Sequence, residues 1–199
     1  TFNSAQTIQL NIQSIQNQSY INWEHLIIDN HSVDNTLEII NKNFDLRRKV
    51  LSEKDDGIYD AINKGINIAK GEIISILHSD DMFFDNNTLK EIINKFNTCK
   101  TDIVYGNLIY VRKNDITKIL RYWKSCEFKS GLFNKGWSPP HPSFFVKKKI
   151  YKKLGIYKNE IGNPADIELM HRMLEKHKIA NKYLNKILVK MRYGGKSNN

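Results

Sequence analysis

The stretch from Gly71 to Asp85, Gly-Glu-Ile-Ile-Ser-Ile-Leu-His-Ser-Asp-Asp-Met-Phe-Phe-Asp, constrains the fold more than any other. Glu72 to Leu77 is a short, β-branched apolar run opened by a glycine, which reads as a strand buried in an α/β sheet. It ends at Ser79, Asp80 and Asp81, where such a strand leaves the sheet, and open α/β sheets bind ligands at the carboxyl ends of their strands. Adjacent carboxylates repel unless something positive lies beside them, and a divalent cation carrying phosphates meets that need. Asp80, Asp81 and Asp85 could instead begin a loop and cap a helix opening near Asn87. Capping accounts for one acid, not for a pair directly after a core strand.

The same alternation runs through the N-terminal half. Thr1-Phe2-Asn3 has the look of a strand's end, and the first residue not being Met suggests a fragment. Ile8, Ile12 and Ile15 then make a helical stripe that Ser4 could cap. Glu24 to Asp29 is a second buried strand, ending in the polar run Asp29, Asn30, His31, Ser32, Val33 and Asp34. Asp34 or Asn35 caps a helix with Leu37, Ile40 and Phe44 inward, and Val50 to Ser52 is a short strand. Gly57 turns the chain into a helix whose apolar face is Ile58, Ile62, Ile66 and Ala69, with Asn63 and Lys64 on another side near the sheet's mouth. There is no Gly-x-Gly-x-x-Gly and no phosphate-binding Gly-Lys-Ser/Thr loop. A nucleotide bound here therefore lacks a glycine-rich cradle, and neutralising its charge falls to a metal and Asp81.

With 199 residues the chain is expected to form one α/β domain, 1–199. No run of about 18 apolar residues occurs, so no membrane span is expected. Cys99 and Cys126 lack metal-ligand spacing and suit a reducing, cytoplasmic compartment. The net charge of +10 is compatible with nucleic acid, anionic lipid or a phosphorylated small molecule. The lysines at 147–149, 152 and 153 come without a nucleic-acid-binding signature, which leaves a solvated face or peripheral contact with the inner face of a membrane. In the second half, Thr101 to Val111 and Ile116 to Trp123 read as a hairpin turning at Lys113-Asn114-Asp115. Trp137-Ser138-Pro139-Pro140-His141-Pro142 is a proline-braced loop before a strand from Ser143 to Val146, and His141 is either packed there or a substrate contact. Pro164 and Asp166 suit the first turn of a helix carrying Ile167, Met170 and Leu174 inward.

Four motifs in order, Asp29-x-x-Ser32-x-Asp34-x-Thr36, Asp56-Gly57-Ile58-Tyr59-Asp60-Ala61-x-Asn63-Lys64-Gly65, Ala69-x-Gly71-Glu72 and Ser79-Asp80-Asp81, resemble the family 2 glycosyltransferases of GT-A fold. The resemblance covers essentially the whole chain. It implies a Rossmann-like central mixed sheet flanked by helices, a nucleotide-sugar-binding half over about 1–110 and an acceptor-binding half over about 111–199. It also implies transfer of a sugar, with inversion, from a nucleoside-diphosphate sugar, a UDP-sugar first among candidates, to a hydroxyl acceptor such as a lipid-linked glycan in surface polysaccharide or glycolipid synthesis.

Residue by residue, the resemblance implies that Asp81 holds Mn²⁺ or Mg²⁺ and that Asp80 lies near the donor's ribose. Asn3, Asp29, Asn30, Asp56, Asn63, Lys64 and Ser79 complete the donor side, with Asn30 and His78 standing where the family often has acids. Trp137 and His141 fall on the acceptor side. Arg172 and the tail from Arg192 to Ser197 fall near the diphosphate, although Gly194-Gly195 also suits a flexible end. Asp166, in Ala165-Asp166-x-Glu168-Leu169, occupies the base position, with Glu168 in reserve and a helix cap as the alternative role. Two other functions compete. A nucleotidyltransferase also uses paired acids and metal but normally shows a glycine-rich basic loop. A carbohydrate- or lipid-surface-binding module using Trp23, Trp123 and Trp137 would leave Asp80, Asp81 and Asp166 idle.

Overall fold

The computed structural model describes residues 1–194. Helix α1 (Ile8–Gln16) opens it and buries Ile8, Ile12 and Ile15. Ser4 does not cap it through its side chain: its carbonyl accepts from the Thr7 and Ile8 amides at 3.0 and 2.9 Å, and its hydroxyl is turned to Ser79. Strands β1 (His25–Asp29) and β2 (Arg48–Ser52) flank α2 (Thr36–Lys42) and pair in parallel, a small sheet of their own. Phe44 was expected on the apolar face of α2, but the helix stops at Lys42 and Phe44 is 74% exposed.

Gly57, at φ +118°, makes the turn into α3 (Ile58–Ile68), a conformation few side chains tolerate. Ala61 and Ile66 are buried on α3, whereas Ile58 is exposed, so the apolar face starts a turn later than its spacing suggests. The Gly71 region then yields β3, which is Ile73–Ile74 only and antiparallel to a later strand, rather than a six-residue core strand.

The larger sheet holds six strands among the described residues. After β4 (Met82–Phe83) and α4 (Thr88–Thr98) come the long hairpin β5 (Ile103–Arg112) and β6 (Asp115–Trp123), as expected from the pattern. β7 (Phe144–Lys147) and β8 (Asn181–Arg192) complete the order β3-β7-β5-β8-β4, with β6 paired to the far part of β5. β5 is buried from Ile103 to Val111, and β8 runs parallel to it. Gly106 permits that approach: a Cβ there would lie 2.5 Å from Leu188 Cδ1. α5 (Lys148–Leu154) and α6 (Ala165–His171), which continues into a π-helical turn over Arg172–Lys176, cover one face. Leu169, Met170, Met173 and Leu174 pack there with Ile103, Tyr105 and Val146, while Ile167, expected inward, is 47% exposed. No helix among the described residues is long and apolar enough to cross a membrane.

Candidate functional site

The carboxyl end of β1 and the loop after β3 meet at the mouth of a cavity of about 1190 Å³. Asn11, buried on α1, fixes that loop from beneath, donating its side-chain amide to the carbonyls of His78 at 2.8 Å and Asp81 at 2.9 Å. The Asp81 amide returns to the His78 carbonyl at 2.9 Å, closing a tight turn that turns Asp80 outward and Asp81 inward. Ser79 and Ser4 share a hydrogen bond of 2.8 Å across the mouth. Opposite, Asn30 Oδ1 accepts the Asp55 amide at 2.9 Å, and Asn3 Oδ1 accepts the Val33 amide at 3.0 Å. The sequence-derived residues Asn3, Asn30, Ser79, Asp80 and Arg192 thus line one cavity, joined by Ser4, Asp55, His78, Lys113 and Tyr193.

The two acids of the loop are unlike. Asp80 is half-buried and lines the cavity, whereas Asp81 has no exposed surface and does not. One Asp81 oxygen accepts the Arg192 amide at 3.3 Å, and the other is buried without a hydrogen-bond partner among the described residues. Burial, reinforced by the charge of Asp80, pushes the Asp81 carboxyl well above the usual carboxylate range, with the Arg192 amide and guanidinium opposing. Burial likewise lowers Arg192, against the raising influence of Asp80 and Asp81.

Hard oxygen donors with an unsatisfied buried carboxylate oxygen suit a divalent cation. Among the described residues no cluster of three acidic, histidine or cysteine side chains accompanies them, so a cation there would depend on phosphate and water for its remaining ligands.

Asp166 sits at the start of α6 without capping it. Pro164 is the N-cap, no side-chain cap bond forms, and Asp166 Oδ1 accepts only its neighbour Ile167's amide at 2.7 Å. Burial raises the Asp166 carboxyl, with that amide, the Tyr59 hydroxyl and the His78 ring acting in opposition. Tyr59, from α3, donates to the Asn163 carbonyl at 2.7 Å and stacks on Tyr157 at 5.4 Å between centroids. The Tyr157 hydroxyl shares 2.7 Å with His141 Nε2, and the His141 ring lies 6.0 Å from that of His78. His78, lowered first by burial, is raised by both Asp80 and Asp166. These rings connect the helix bearing Asp166 to the loop bearing Asp80.

Other expected site residues belong to the frame. Asn63 is buried and clamps the Tyr157 backbone, donating to its carbonyl at 2.8 Å and accepting its amide at 3.0 Å. Lys64 is held by the Lys54 carbonyl at 2.7 Å and by Glu53 and Asp60 at 3.0 and 3.3 Å. Asp29, wholly buried, accepts the Ser32 amide at 3.0 Å and the Ser52 hydroxyl at 2.7 Å, tying β1 to β2. Asp56 is exposed and outside the cavity, its place taken by Asp55.

On the acceptor side, His141 is buried against Tyr157 and burial lowers its pKa to about 3, so it stays neutral as a packed histidine. Trp137 packs among Tyr105, Phe128 and Phe133. Arg172 donates to the carbonyls of Leu154 and Ile156, the latter at 2.8 Å, and to Glu168, the reserve base, at 3.0 Å. Of the tail, Gly195 to Ser197 lie outside the described residues.

The chain resembles known proteins in sequence and in fold. Over all its length the chain is 25% identical to a PGL/p-HBAD biosynthesis glycosyltransferase of Mycobacterium bovis, of which it spans 77%. A UDP-Glc:alpha-D-GlcNAc-diphosphoundecaprenol beta-1,3-glucosyltransferase of Escherichia coli is 33% identical over 117 residues, 58% of this chain and 46% of that one. Among solved structures, S. aureus TarS 1-349 in complex with UDP-GlcNAc superposes with a TM-score of 0.76 at 20% identity over 96% of this chain. The mannosyltransferase PcManGT of Pyrobaculum calidifontis, in complex with GDP-Man and Mn2+, gives 0.74 at 16% over 100%. The chain spans 56% of each of those two and 35% of a longer TarS chain. The fold is of the GT-A type. The model of glycosyl transferase family 2 matches residues 1–155, and the chain belongs to that family.

Proposed function

We propose that this chain carries an inverting transfer of a sugar from a nucleoside-diphosphate sugar to a hydroxyl acceptor. One observation carries the reading: Asp80 lines the cavity, and the start of the helix bearing Asp166, which does not itself line it, is tied to Asp80's loop through Tyr59, Tyr157, His141 and His78, with 5.4 Å, 2.7 Å and 6.0 Å between successive rings or their bonded atoms. Asp166 takes the acceptor's hydroxyl proton as that oxygen attacks the anomeric carbon and the nucleoside diphosphate departs. A carboxylate raised toward neutrality is a stronger base than an ordinary one. Asp80, facing the cavity, and Asp81 behind it would hold Mn²⁺ or Mg²⁺, which when bound neutralises charge on the diphosphate.

Asn30 reads the base with its amide N–H₂, its oxygen being committed to Asp55. That donor suits the carbonyl oxygens of uracil, and the TarS complex with UDP-GlcNAc supports a UDP-sugar. A lipid-linked acceptor, as in the E. coli relative's name, fits a basic protein working at the cytoplasmic face of a membrane. The N-terminal half of about 110 residues serves the donor and the remainder the acceptor.

The test is to incubate the chain with a panel of nucleoside-diphosphate sugars, with Mn²⁺ or with EDTA, and follow nucleoside diphosphate release and product configuration by NMR. Release that needs Mn²⁺, with an inverted anomeric centre, is expected. Consumption of added pyrophosphate with release of sugar 1-phosphate and nucleoside triphosphate would instead mark a nucleotidyltransferase, and no turnover of any donor would end the reading.

A further inference from the structure

The hairpin β5–β6 joins two unlike strands. Every residue of β5 from Ile103 to Val111 is buried, whereas every residue of β6 from Thr117 to Tyr122 is exposed. β6 pairs with β5 along one edge, and no strand among the described residues takes the other. Both faces and one edge of its middle stretch are therefore open.

Three of those exposed residues are large and apolar: Ile119, Leu120 and Tyr122, at 60%, 48% and 49% exposure. Strict alternation would set Ile119 and Tyr122 on opposite faces. The ladder slips between them. Ile109 pairs with Tyr122 and Val111 with Ile119, which leaves Leu120 as the extra residue of a bulge. Ile109 and Val111 share a face of β5, so their partners Tyr122 and Ile119 share one as well. The bulge gathers apolar side chains that alternation would separate.

The charge around them has one sign. Between Asp115 and Glu127 the chain carries Lys118, Arg121 and Lys124 and no acid. None of the three is in a salt bridge among the described residues. Arg121 lies instead by the rings of Tyr110 and Trp123, at 5.5 and 5.7 Å. The basic run at 147–153 differs. Lys149 pairs with Asp102 at 2.7 Å, Lys147 reaches Glu72 and Asp102 at 3.6 and 3.8 Å, and Ile150 and Tyr151 are buried. That patch has charge but little apolar surface to go with it.

We propose that β6 is the element by which this protein lies on an anionic bilayer, with Ile119, Leu120 and Tyr122 entering the headgroup layer and Lys118, Arg121 and Lys124 meeting lipid phosphates. Apolar area and basic charge on one element are what hold an interfacial segment to anionic lipid. A tyrosine, with its apolar ring and polar tip, suits that boundary. The purpose of the contact rests on the lipid-linked acceptor proposed above. Lys113, at the hairpin turn, borders the donor cavity, and Arg192 donates to its carbonyl at 2.7 Å while giving its amide to Asp81 at 3.3 Å. Ile119 lies about 14 Å along the strand from Asp115, so a membrane under β6 presents its acceptor beside the cavity mouth. A second copy of this chain fits the same edge poorly. Two β6 strands paired antiparallel about Ile119 and Leu120 set Lys118 opposite Arg121 twice, and like charges so opposed are destabilising.

The experiment is sedimentation of the 1–199 chain with vesicles of phosphatidylcholine alone, or of phosphatidylcholine with about one-third phosphatidylglycerol. No donor or acceptor is added, so the result stands apart from whether sugar is transferred. Binding to the anionic vesicles alone is expected. Lys118→Gln with Lys124→Gln should weaken it by about tenfold or more, and Ile119→Ser with Leu120→Ser by a similar factor. Lys152→Gln with Lys153→Gln, an equal loss of charge from α5, should change it by less than about threefold. In Leu120→Trp, brominated phosphatidylcholine in the anionic vesicles should quench tryptophan emission beyond the level of the parent chain.

Absence of binding to anionic vesicles overturns the proposal, as does equal weakening by the β6 and α5 charge pairs, which would make the attraction diffuse. So does binding unchanged by the Ile119 and Leu120 serines. If that serine pair is not recovered folded, quenching in Leu120→Trp decides, and quenching no greater than the parent's overturns the proposal. A peptide of alternating Glu and Val that binds the parent chain, but not the Lys118 and Lys124 glutamine variant, while anionic vesicles bind neither, would assign the free edge of β6 to an acidic strand instead.

Discussion

The loop His78–Asp81 and the helical turn Asp60–Gly65 both set polar and charged residues beside apolar core positions. They do opposite things. The loop is held from beneath by Asn11, which frees Asp80 to face the cavity, while Asn63 and Lys64 are consumed by the Tyr157 backbone and by Glu53 and Asp60. A polar residue near a sheet's mouth is available to ligand only if no later segment of the chain claims it, and the claimant of Asn63 lies 94 residues on.

The largest effect expected from separating site from frame is at Asp166. Asp166→Asn should lower turnover by about 10² to 10⁴ while donor affinity, read by calorimetry with a nucleoside diphosphate, stays within about twofold. The helix should be little affected, because asparagine keeps the oxygen that accepts the Ile167 amide. A variant that loses thermal stability and keeps its turnover would return Asp166 to the frame.

Asn63→Ala tests the frame directly. It removes two hydrogen bonds to a buried backbone and leaves the Tyr157 amide and carbonyl unpaired, a destabilisation of about 2 to 4 kcal/mol in denaturant titration. Donor affinity of the remaining folded protein should not change. A selective loss of donor affinity at unchanged stability would place Asn63 in the site after all.

Asp81→Asn divides charge from burial at the loop. The folded-state pKa of Asp81 is raised, so without metal the folded protein holds this proton more tightly than the unfolded chain. Its contribution is therefore fully favourable below the unfolded carboxylate value of about 3.9 and is lost as pH rises from there through the folded value. The asparagine variant should lose that dependence and, near neutral pH without metal, be more stable by about 1 to 3 kcal/mol. It should also bind nucleoside diphosphate with Mn²⁺ at least about tenfold more weakly, since an amide cannot supply the charge. Unchanged metal-dependent affinity, beside a loss in Asp80→Asn, would assign the cation to Asp80 alone.

What could be read in the sequence follows the same division. Strand ends followed by polar clusters located the mouth, because period and residue type are local, and Asn3, Asn30, Ser79, Asp80 and Arg192 meet there. The choice of Asp55 over Asp56 was not legible. It turns on the φ of +118° at Gly57 and on the Asp55 amide being drawn to Asn30. The brevity of β3 was hidden too, because an apolar run does not say whether a neighbouring strand lies on each edge. His141 and Arg172 read as ligand groups because the residue types that bind substrates are also those that tie a loop to buried carbonyls and hydroxyls.

Tyr59 is the finest test of the comparison, since it belongs to the α3 segment that carries the frame and yet touches the proposed base. Its ring stacks on Tyr157, its hydroxyl donates to the Asn163 carbonyl at 2.7 Å, and that hydroxyl opposes the rise of the Asp166 pKa. Tyr59→Phe keeps the stack and removes only the hydroxyl. Because that hydroxyl lowers the Asp166 pKa against the raising effect of burial, its loss should move the acid limb of the pH profile of kcat/KM upward. Turnover at neutral pH should fall by about three- to tenfold from poorer positioning, with donor KM unchanged. In the Asp166→Asn background the same change should have no effect on the limb, since the group that titrates is gone. A Tyr59→Phe variant that unfolds more easily but keeps the parent pH profile would make Tyr59 part of the frame alone, and the boundary between frame and site would then run between it and Asp166.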